Sequence, residues 1–173
     1  MPNTIELERT YLASGLPEGL DSCENKEILD IYLPGSSRHP TLRIRKNGGK
    51  YEMTKKEPVN EGDKSQQLEQ TIPLTEEEFG DLSSVEGKRI SKTRYVYDYK
   101  GHTAEIDIFN GGLKGLVLVD FEFKDEKEKD AFATPDFCLC EVTQEEFIAG
   151  GMLCGKRYED IEADLSKFSY KRL

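Results

Sequence analysis

Two glutamates near the N-terminus, Glu6 and Glu8, are the first residues whose spacing suggests chemistry. In an extended strand alternate side chains point to opposite faces, so these two carboxylates would stand side by side. Mg²⁺ is commonly held by one or two carboxylates together with water and phosphate oxygens. An isolated pair of this kind is usually the solvated face of a strand, so a metal site requires matching residues on other strands.

Charged residues recur at alternate positions on nearly every predicted strand. The pairs are Glu6/Glu8, Arg43/Arg45, Lys92/Arg94, Glu105/Asp107 and Asp120/Glu122. Antiparallel sheets often have one face in water, which would explain the pattern. The second interpretation places the charged faces inside a closed barrel, with the apolar faces outside and covered by helices. Because charged groups are rarely buried unless they are paired or bind ions, such an interior would be wet and occupied by ions.

The strands that must position these pairs are predicted from alternation and turn signals. A hairpin is expected from Thr41–Lys46 to Tyr51–Lys56 across Asn47-Gly48-Gly49, and a second from Arg89–Tyr99 to Thr103–Phe109. Further strands are expected at Ile5–Arg9, Ile28–Leu33, Gln66–Ile72 and Leu113–Lys124, the last being the longest. The polar stretch Glu57–Ser65 is interpreted as a mobile loop.

Four short helices are expected around these strands. A capping box begins a helix at Thr75, and a capped helix spans Asp125–Phe132. Another helix is expected from Thr143 to Gly150-Gly151, and a last one from about Tyr158 to Phe168. Seven or eight strands with peripheral helices indicate an α+β fold built on an antiparallel sheet or barrel.

Length and charge restrict the classes of function. The 173 residues fit one domain spanning 1–173, and the net charge of -10 disfavours nucleic acid or an anionic membrane as a partner. No stretch approaches the roughly 20 apolar residues of a membrane span, and no secretory leader is evident. The four cysteines lack paired C-x-x-C spacing, so we expect reduced structural thiols rather than zinc. We therefore expect a soluble, cytoplasmic protein.

The motifs taken together resemble the CYTH superfamily, the triphosphate tunnel metalloenzymes, which include class IV adenylate cyclase and thiamine triphosphatase. The similar stretches, in chain order, are Ile5–Arg9 (E-x-E-x-K), Leu42–Arg45 (R-x-R), Tyr51–Lys56 (T-x-K), Lys92–Tyr95 (K-x-R-Y), Glu105–Phe109 (E-x-D-x-F), Leu118–Phe123 (E-x-E-F), Glu141–Thr143 (E-V-T) and Lys156–Tyr158 (R-Y). A single such motif has little weight, but this many in order is specific.

The resemblance implies a closed eight-stranded antiparallel β-barrel with a charged lumen, in which acids bind divalent metal and bases bind a triphosphate. It implies Mg²⁺ or Mn²⁺ as the cofactor and a small-molecule triphosphate as the partner, and it leaves a homodimer open. The implied metal ligands are Glu6, Glu8 and Glu122, followed by Asp120 and Glu69. The implied phosphate-binding residues are Arg43, Arg45, Lys56 and Arg94.

The chain departs from the family at two places. The signature lysine corresponds to Thr10, and the fourth strand, R-E-E-x-E-x-E in the family, reads S-Q-Q-L-E-Q-T over Ser65–Thr71. Some other group would then activate water, and the candidates for this catalytic role are Lys92, Tyr32 or a metal-bound hydroxide. The first hypothesis is a metal-dependent triphosphate hydrolase. The alternatives are a class IV adenylate cyclase and a non-catalytic polyphosphate-binding module.

Overall fold

The computed structural model describes residues 4–173. Within this range nine strands span Thr4–Ala13 (β1), Asn25–Leu33 (β2), Leu42–Asn47 (β3), Lys50–Asn60 (β4), Asp63–Leu74 (β5), Lys88–Tyr99 (β6), His102–Phe109 (β7), Val117–Phe123 (β8) and Cys138–Glu141 (β9). The four α-helices described there span Glu76–Ser83 (α1), Glu126–Ala131 (α2), Gly150–Leu153 (α3) and Tyr158–Ser166 (α4).

Eight of the strands form a closed antiparallel barrel. Their order is β5-β4-β3-β2-β6-β7-β8-β1, and pairing of β1 with β5 closes the ring. The closing register places Glu6 opposite Gln67 and Leu7 opposite Gln66. β9 extends the sheet beside the last residues of β1, where Tyr11 pairs with Glu141. The predicted eight-stranded antiparallel barrel is confirmed, and β9 is an additional strand that the sequence did not predict.

Tight turns fix the registers of strand pairing, and these registers determine which side chains point into the barrel. Lys100 and Gly101 both have positive φ, 54° and 85°, as a two-residue hairpin turn of the primed type requires. This turn joins β6 to β7 with Tyr99 opposite His102. Because the side-chain period of a strand is two residues, a slip of one residue here would turn Lys92 and Arg94 out of the barrel.

The apolar faces of the strands point outward, where segments of chain cover them. Tyr11, Ile106, Val119 and Phe121 are fully buried on the outside of β1, β7 and β8, and Phe132 after α2 packs on them. Ile31 and Ile44 on the outside of β2 and β3 are covered by Phe79 of α1. The barrel is therefore apolar outside and charged inside, the less ordinary of the two arrangements considered from the sequence.

One end of the barrel interior is apolar and packed. Leu12, Tyr32, Ile90, Phe109 and Leu118 form a cluster there with residues from the C-terminal segment, including Ile148, Leu153, Ile161 and Leu165. Thr10 and Asp120 come next along β1 and β8, followed by Glu8 and Glu122. Helices α3 and α4 thus close the end of the barrel rather than cover its outer face.

Three local predictions were wrong. Glu57–Ser65 is not a loop, since β4 and β5 continue to a two-residue turn in which Gly62 has φ 88°. Leu113–Lys124 is not the longest strand, because a 3-10 turn over Gly111–Leu113 precedes β8. The expected helix from Thr143 is replaced by a 3-10 turn at Glu146–Ile148 and by α3, which begins where that helix was expected to end.

Candidate active site

The barrel encloses a cavity of about 420 Å³. Every predicted site residue lines it, since the side chains at alternate positions of all eight strands point into one space. These residues are Glu6, Glu8, Tyr32, Arg43, Arg45, Lys56, Glu69, Lys92, Arg94, Asp120 and Glu122. Thr10 also lines the cavity, as expected from its position two residues after Glu8.

Acids and bases occupy opposite halves of the cavity wall. The neighbouring strands β7, β8, β1 and β5 contribute Glu105, Asp107, Asp120, Glu122, Glu6, Glu8 and Glu69. The other half, β4, β3, β2 and β6, contributes Lys56, Arg43, Arg45, Lys92 and Arg94. The exceptions are Asp30 on β2 and Glu52 on β4, which are lining acids within the basic half, and Lys64 on β5, a lining base within the acidic half. A cation and a polyanion would therefore each meet an opposite charge in the same cavity.

Lys56 lies among the carboxylates. Its Nζ is 2.5 Å from Glu6 Oε2, 3.2 Å from Glu8 Oε2 and 3.4 Å from Glu69 Oε2. Burial alone would lower the pKa of Lys56, but the charges of Glu8 and Glu6 outweigh it and raise that pKa. Lys56, predicted from the sequence to bind phosphate, is therefore held here by three of the predicted metal ligands.

The remaining two predicted metal ligands have raised pKa values. Burial and the charge of Asp107 raise the pKa of Asp120 to about 6. Burial, Glu105 and Glu6 raise the pKa of Glu122 to about 7. Carboxyl groups crowded in this way resist ionisation until a cation approaches.

The two arginines of β3 differ in their contacts. Arg45 makes a two-pronged hydrogen bond to Asp30, with Nε 2.6 Å from Oδ1 and the second nitrogen 2.8 Å from Oδ2. Arg43 Nε is buried without a hydrogen-bond partner and lies 3.9 Å from Asp30 Oδ1. Arg43 therefore presents an unsatisfied donor to the cavity, which an anionic oxygen would satisfy.

Lys92 and Arg94 share Asp107, a fully buried acid on β7. Arg94 donates to it through two nitrogens at 2.6 and 2.7 Å and also contacts Glu105, while Lys92 donates to Asp107 Oδ2. Burial lowers the pKa of Lys92, and the charges of Arg94 and Arg45 act in the same direction against that of Asp107. Burial also opposes ionisation of Asp107, but Lys92 and Arg94 hold its pKa below the usual range.

Thr10 is part of a chain of hydrogen bonds at the inner end of the acidic half of the cavity wall. Its hydroxyl donates to Asp120 Oδ1 at 2.7 Å, and its backbone N–H donates to Thr143 Oγ1 at 3.0 Å. Thr143 in turn donates to Glu141. A neutral hydroxyl thus occupies the position at which the family resemblance implies a lysine.

Tyr32 lies at the boundary between the charged cavity and the apolar end. It is 8% exposed, and burial raises its pKa. A β-carbon placed on Gly150 would lie 2.0 Å from Tyr32 Oη, so the glycine allows α3 to approach the phenol. The structure brings both predicted catalytic residues, Tyr32 and Lys92, to the same cavity.

The carboxylates of the acidic half of the cavity wall suit a hard divalent ion. Mg²⁺ and Mn²⁺ prefer carboxylate oxygens, and Glu6 Oε2 is buried with no hydrogen-bond partner apart from its ion pair with Lys56. Within residues 4–173, no three His, Cys, Asp or Glu side chains are already arranged to hold a metal ion. The ammonium of Lys56 shows that the cluster attracts a cation, so the donor chemistry fits the implied metal.

Several lining residues were not predicted as part of the site. Asp30 and Asp107 orient the arginines and Lys92, and Thr143 supports Thr10. A lone acid inside the otherwise apolar run Ile28–Leu33 was an available signal for Asp30. Its partner Arg45 is fifteen positions away in sequence and is identified only by strand pairing.

The cysteines and the helices are the remaining features for which expectations were drawn from the sequence. Cys23, Cys138, Cys140 and Cys154 are all free. Burial raises the pKa of Cys138 to about 12, which disfavours its thiolate form. None of the helices within residues 4–173 has the length and apolar character needed to span a bilayer.

Comparison with known proteins places this geometry in a family. The family model described as CYTH domain matches residues 17–137. An inorganic triphosphatase of Nitrosomonas europaea is 34% identical over 142 residues, covering 81% of this chain and 90% of that protein. A second inorganic triphosphatase, from Acetivibrio thermocellus, is 41% identical over 54 residues, which are 31% of this chain and 33% of that protein.

Solved structures agree with the sequence comparison. The crystal structure of the inorganic triphosphatase NE1496 matches with a TM-score of 0.63 and 29% identity, over 87% of this chain and 95% of that one. A putative adenylate cyclase from Bacillus halodurans shares the fold, with a TM-score of 0.53 and 17% identity over 100% of this chain and 94% of that one. The family model spans more than half of the chain and the relatives share its barrel, so this protein belongs to the CYTH domain family.

Proposed function

We propose that this protein hydrolyses a small triphosphate, with inorganic triphosphate as the first candidate, and that it requires Mg²⁺ or Mn²⁺. The observation that carries the proposal is the division of one cavity into an acidic half and a basic half. Phosphoryl transfer depends mainly on positioning and on neutralising phosphate charge, and this cavity supplies groups for both. The relatives named inorganic triphosphatase support the same choice of substrate.

The acid half would hold the metal through Glu6, Glu8 and Glu122, with Glu69 and Asp120 beside them. When bound, the metal supplies positive charge to the phosphate oxygens as their charge develops. The basic half binds the substrate. Arg43 offers a guanidinium whose Nε has no hydrogen-bond partner, while Arg45 and Arg94 are held in fixed orientations by Asp30 and Asp107.

Two residues near the inner end are assigned to proton handling. Burial lowers the pKa of Lys92 and so favours its neutral amine, the form in which Nζ can accept a proton from the attacking water. Tyr32 keeps its proton because burial raises its pKa, so its hydroxyl orients that water as a hydrogen-bond donor. Asp107 keeps Lys92 in place, by an ion pair when the amine is protonated and by a hydrogen bond from Nζ when it is neutral. Lys92→Met is then expected to lower the rate by about a hundredfold to ten-thousandfold.

Product analysis tests the proposal. Purified protein is incubated with inorganic triphosphate and with ATP, each with Mg²⁺, Mn²⁺ or EDTA. Orthophosphate release that requires metal, and that is largely lost in Glu6→Gln, Glu8→Gln and Glu122→Gln, is the expected result. Pyrophosphate with cyclic AMP would instead identify a cyclase, and binding without turnover a polyphosphate-binding module. Full turnover in EDTA by metal-free protein would refute the metal requirement.

The free cysteines bear on the compartment in which this activity occurs. Four free thiols, two of them buried, suit a reducing environment. We place the reaction in the cytoplasm on this basis.

A further inference from the structure

Lys56 is in an unusual position for a phosphate-binding residue. Its ammonium contacts Glu6, Glu8 and Glu69 at 2.5, 3.2 and 3.4 Å, so it lies where these carboxylates converge. The same carboxylates are those assigned to the metal under the proposed function. Lys56 therefore satisfies, with one positive charge, the oxygens that a divalent ion would need.

The position of Lys56 in the barrel gives it access to both halves of the wall. On one side β4 pairs with β5, placing Lys56 opposite Glu69 at the seam of the acidic half. On the other side β4 pairs with β3, where Thr54, two residues before Lys56, lies opposite Arg43. Both Lys56 and Arg43 line the cavity. The four-carbon stem of a lysine is flexible enough for its ammonium to move between such neighbouring sites.

A metal ion and the ammonium cannot both occupy the carboxylate cluster. Two cations at hydrogen-bond distance from the same oxygens repel each other, and the interior weakens that repulsion less than water does. The buried Nε of Arg43, which lacks a hydrogen-bond partner, marks the adjacent region as one that requires an anion. Asp30, the acid beside Arg43, already accepts hydrogen bonds from Arg45, so a bound phosphate would supply the counter-charge for a displaced ammonium.

We propose that Lys56 is a resident cation of the metal site: its ammonium occupies the Glu6, Glu8 and Glu69 cluster in the metal-free protein, and a divalent ion displaces it onto the triphosphate. This inference rests on the proposed function and adds a mechanism of coupling to it. Metal binding alone must break the Lys56 contacts, whereas metal binding with triphosphate gives Lys56 a new partner. The two ligands therefore bind with positive cooperativity through one side chain.

Binding of Mn²⁺ in the absence of triphosphate tests the proposal most directly. Lys56→Met removes the competing charge while keeping a similar stem, so Mn²⁺ alone should bind about tenfold more tightly than to the parent protein. Lys55→Met is the matched control, because Lys55 is the adjacent residue, points outward and pairs with Glu57 at 3.0 Å. It removes the same charge from the chain and should change Mn²⁺ affinity less than twofold. Calorimetric titration measures both.

The cooperativity provides a second readout. A triphosphate analogue with non-hydrolysable bridges should tighten Mn²⁺ binding in the parent by a larger factor than in Lys56→Met. In Lys55→Met the analogue should tighten Mn²⁺ binding by the same factor as in the parent protein. Equal factors in all three proteins, or weaker binding of Mn²⁺ alone to Lys56→Met, would overturn the proposal.

A measurement on the parent protein covers the case in which Lys56→Met does not fold. The ¹⁵N resonance of Lys56 Nζ, assigned by through-bond correlation to its own backbone, should shift when Mg²⁺ saturates the metal-free protein. The ¹⁵N resonance of Lys55 Nζ should not shift under the same conditions. An unchanged Lys56 resonance at saturating Mg²⁺ shows that the ammonium stays in place and refutes the displacement.

The outcomes also separate this proposal from the one on which it rests. If the parent protein binds Mn²⁺ and releases orthophosphate but Lys56→Met binds Mn²⁺ no more tightly, only the role of Lys56 is refuted. If the parent binds no divalent ion, both proposals fail.

Discussion

Arg43 and Arg45 are equivalent by sequence, since both belong to one R-x-R strand, but their contacts differ. Arg45 is 7% exposed and held by Asp30, whereas Arg43 Nε has no hydrogen-bond partner. Loss of a partner from a buried ion pair usually costs about 3–5 kcal/mol, because it leaves an uncompensated charge. Replacement by alanine should therefore lower stability at Arg45 and weaken ligand binding at Arg43.

We expect Arg43→Ala to weaken triphosphate binding about tenfold to hundredfold with little loss of stability, because it removes a charge-assisted contact. Arg45→Ala should lower the free energy of unfolding by about 3–5 kcal/mol, because the buried Asp30 would lose both hydrogen bonds from Arg45 and keep only the more distant Arg43. Calorimetric titration and chemical denaturation measure the two effects. A restored stability in Arg45→Met combined with Asp30→Leu would identify the unpaired acid as the cause. Equal destabilisation by both single substitutions would contradict this distinction.

Thr10 is the residue at which the sequence departs most clearly from the family pattern. Its hydroxyl donates to Asp120, and its strand face is that of Glu6 and Glu8. We expect Thr10→Lys to raise the hydrolysis rate by about tenfold to ten-thousandfold, the range of a positioned acid–base group. The new ammonium would also lower the pKa of Asp120, which is about 6 in the parent.

Steady-state rates for Thr10→Lys should be compared with those for Thr10→Met, which has similar length but no charge. A gain in both variants would indicate relief of steric constraint rather than proton transfer. If Thr10→Lys folds, binds triphosphate and is no faster than the parent, then loss of the signature lysine does not limit catalysis in this protein.

At the scale of elements, the glycines of the short helix α3 pack closely against β2 and against the segment between β2 and β3. A β-carbon on Gly150 would lie 2.0 Å from Tyr32 Oη, and one on Gly151 would lie 2.2 Å from the carbonyl oxygen of Pro40. Both distances are far below van der Waals contact. The close approach of α3 to the end of the barrel is therefore possible only without side chains at these two positions.

We expect Gly150→Ala to lower the free energy of unfolding by about 1–3 kcal/mol through overpacking against Tyr32. It should also reduce hydrolysis, because Tyr32 must shift away from the cavity. Tyr32→Phe removes the atom nearest to the new methyl group, so the double variant should recover part of the stability. Thermal denaturation of the two single variants and the double variant measures this coupling. Additive losses would show that the two residues do not interact.

At the scale of the whole molecule, the carboxyl groups of the acidic half make the stability of the metal-free protein depend on pH. The pKa of Glu122 is raised to about 7 and that of Asp120 to about 6, so between about pH 4 and pH 7 the folded protein binds more protons than the unfolded chain. Stability then falls as pH rises through this window. The contribution is fully present below the ordinary carboxyl pKa and is lost as pH passes the raised values.

We expect the thermal midpoint in EDTA to fall between pH 5 and pH 8, and Glu122→Gln to reduce that fall. Glu61→Gln, on the exposed turn between β4 and β5, is the control for loss of one negative charge. Mg²⁺ at about a hundred times its Kd should stabilise the protein at pH 8 by about 2.7 kcal/mol. That corresponds to about 5–10 °C for a chain of this size. A midpoint in EDTA that rises across this range and is unaffected by Glu122→Gln would contradict the assignment.

Alternation in the sequence predicted which charged residues share a strand face, and the resemblance to the CYTH superfamily predicted that these faces line a closed barrel. Alternation has a strict period of two in a strand, so Glu6/Glu8, Arg43/Arg45 and Lys92/Arg94 each had to share a face. Turn chemistry at Asn47-Gly48-Gly49 and Lys100-Gly101 indicated which strands form hairpins. Local rules failed where polar residues continue a strand, as at Glu57–Ser65, because β4 and β5 stabilise each other there by pairing.

Only the tertiary structure decided which charges meet. Strand order collects the acids of β7, β8, β1 and β5 on one half of the wall and most of the bases on the other, and no local pattern encodes that order. It also pairs Lys56 with carboxylates on β1 and β5, and Arg45 with Asp30 on β2. Alternation is a property of one strand and can be obtained from the sequence. Contact between strands distant in sequence depends on closure of the barrel, which places Lys56 on β4 within 2.5 Å of Glu6 on β1.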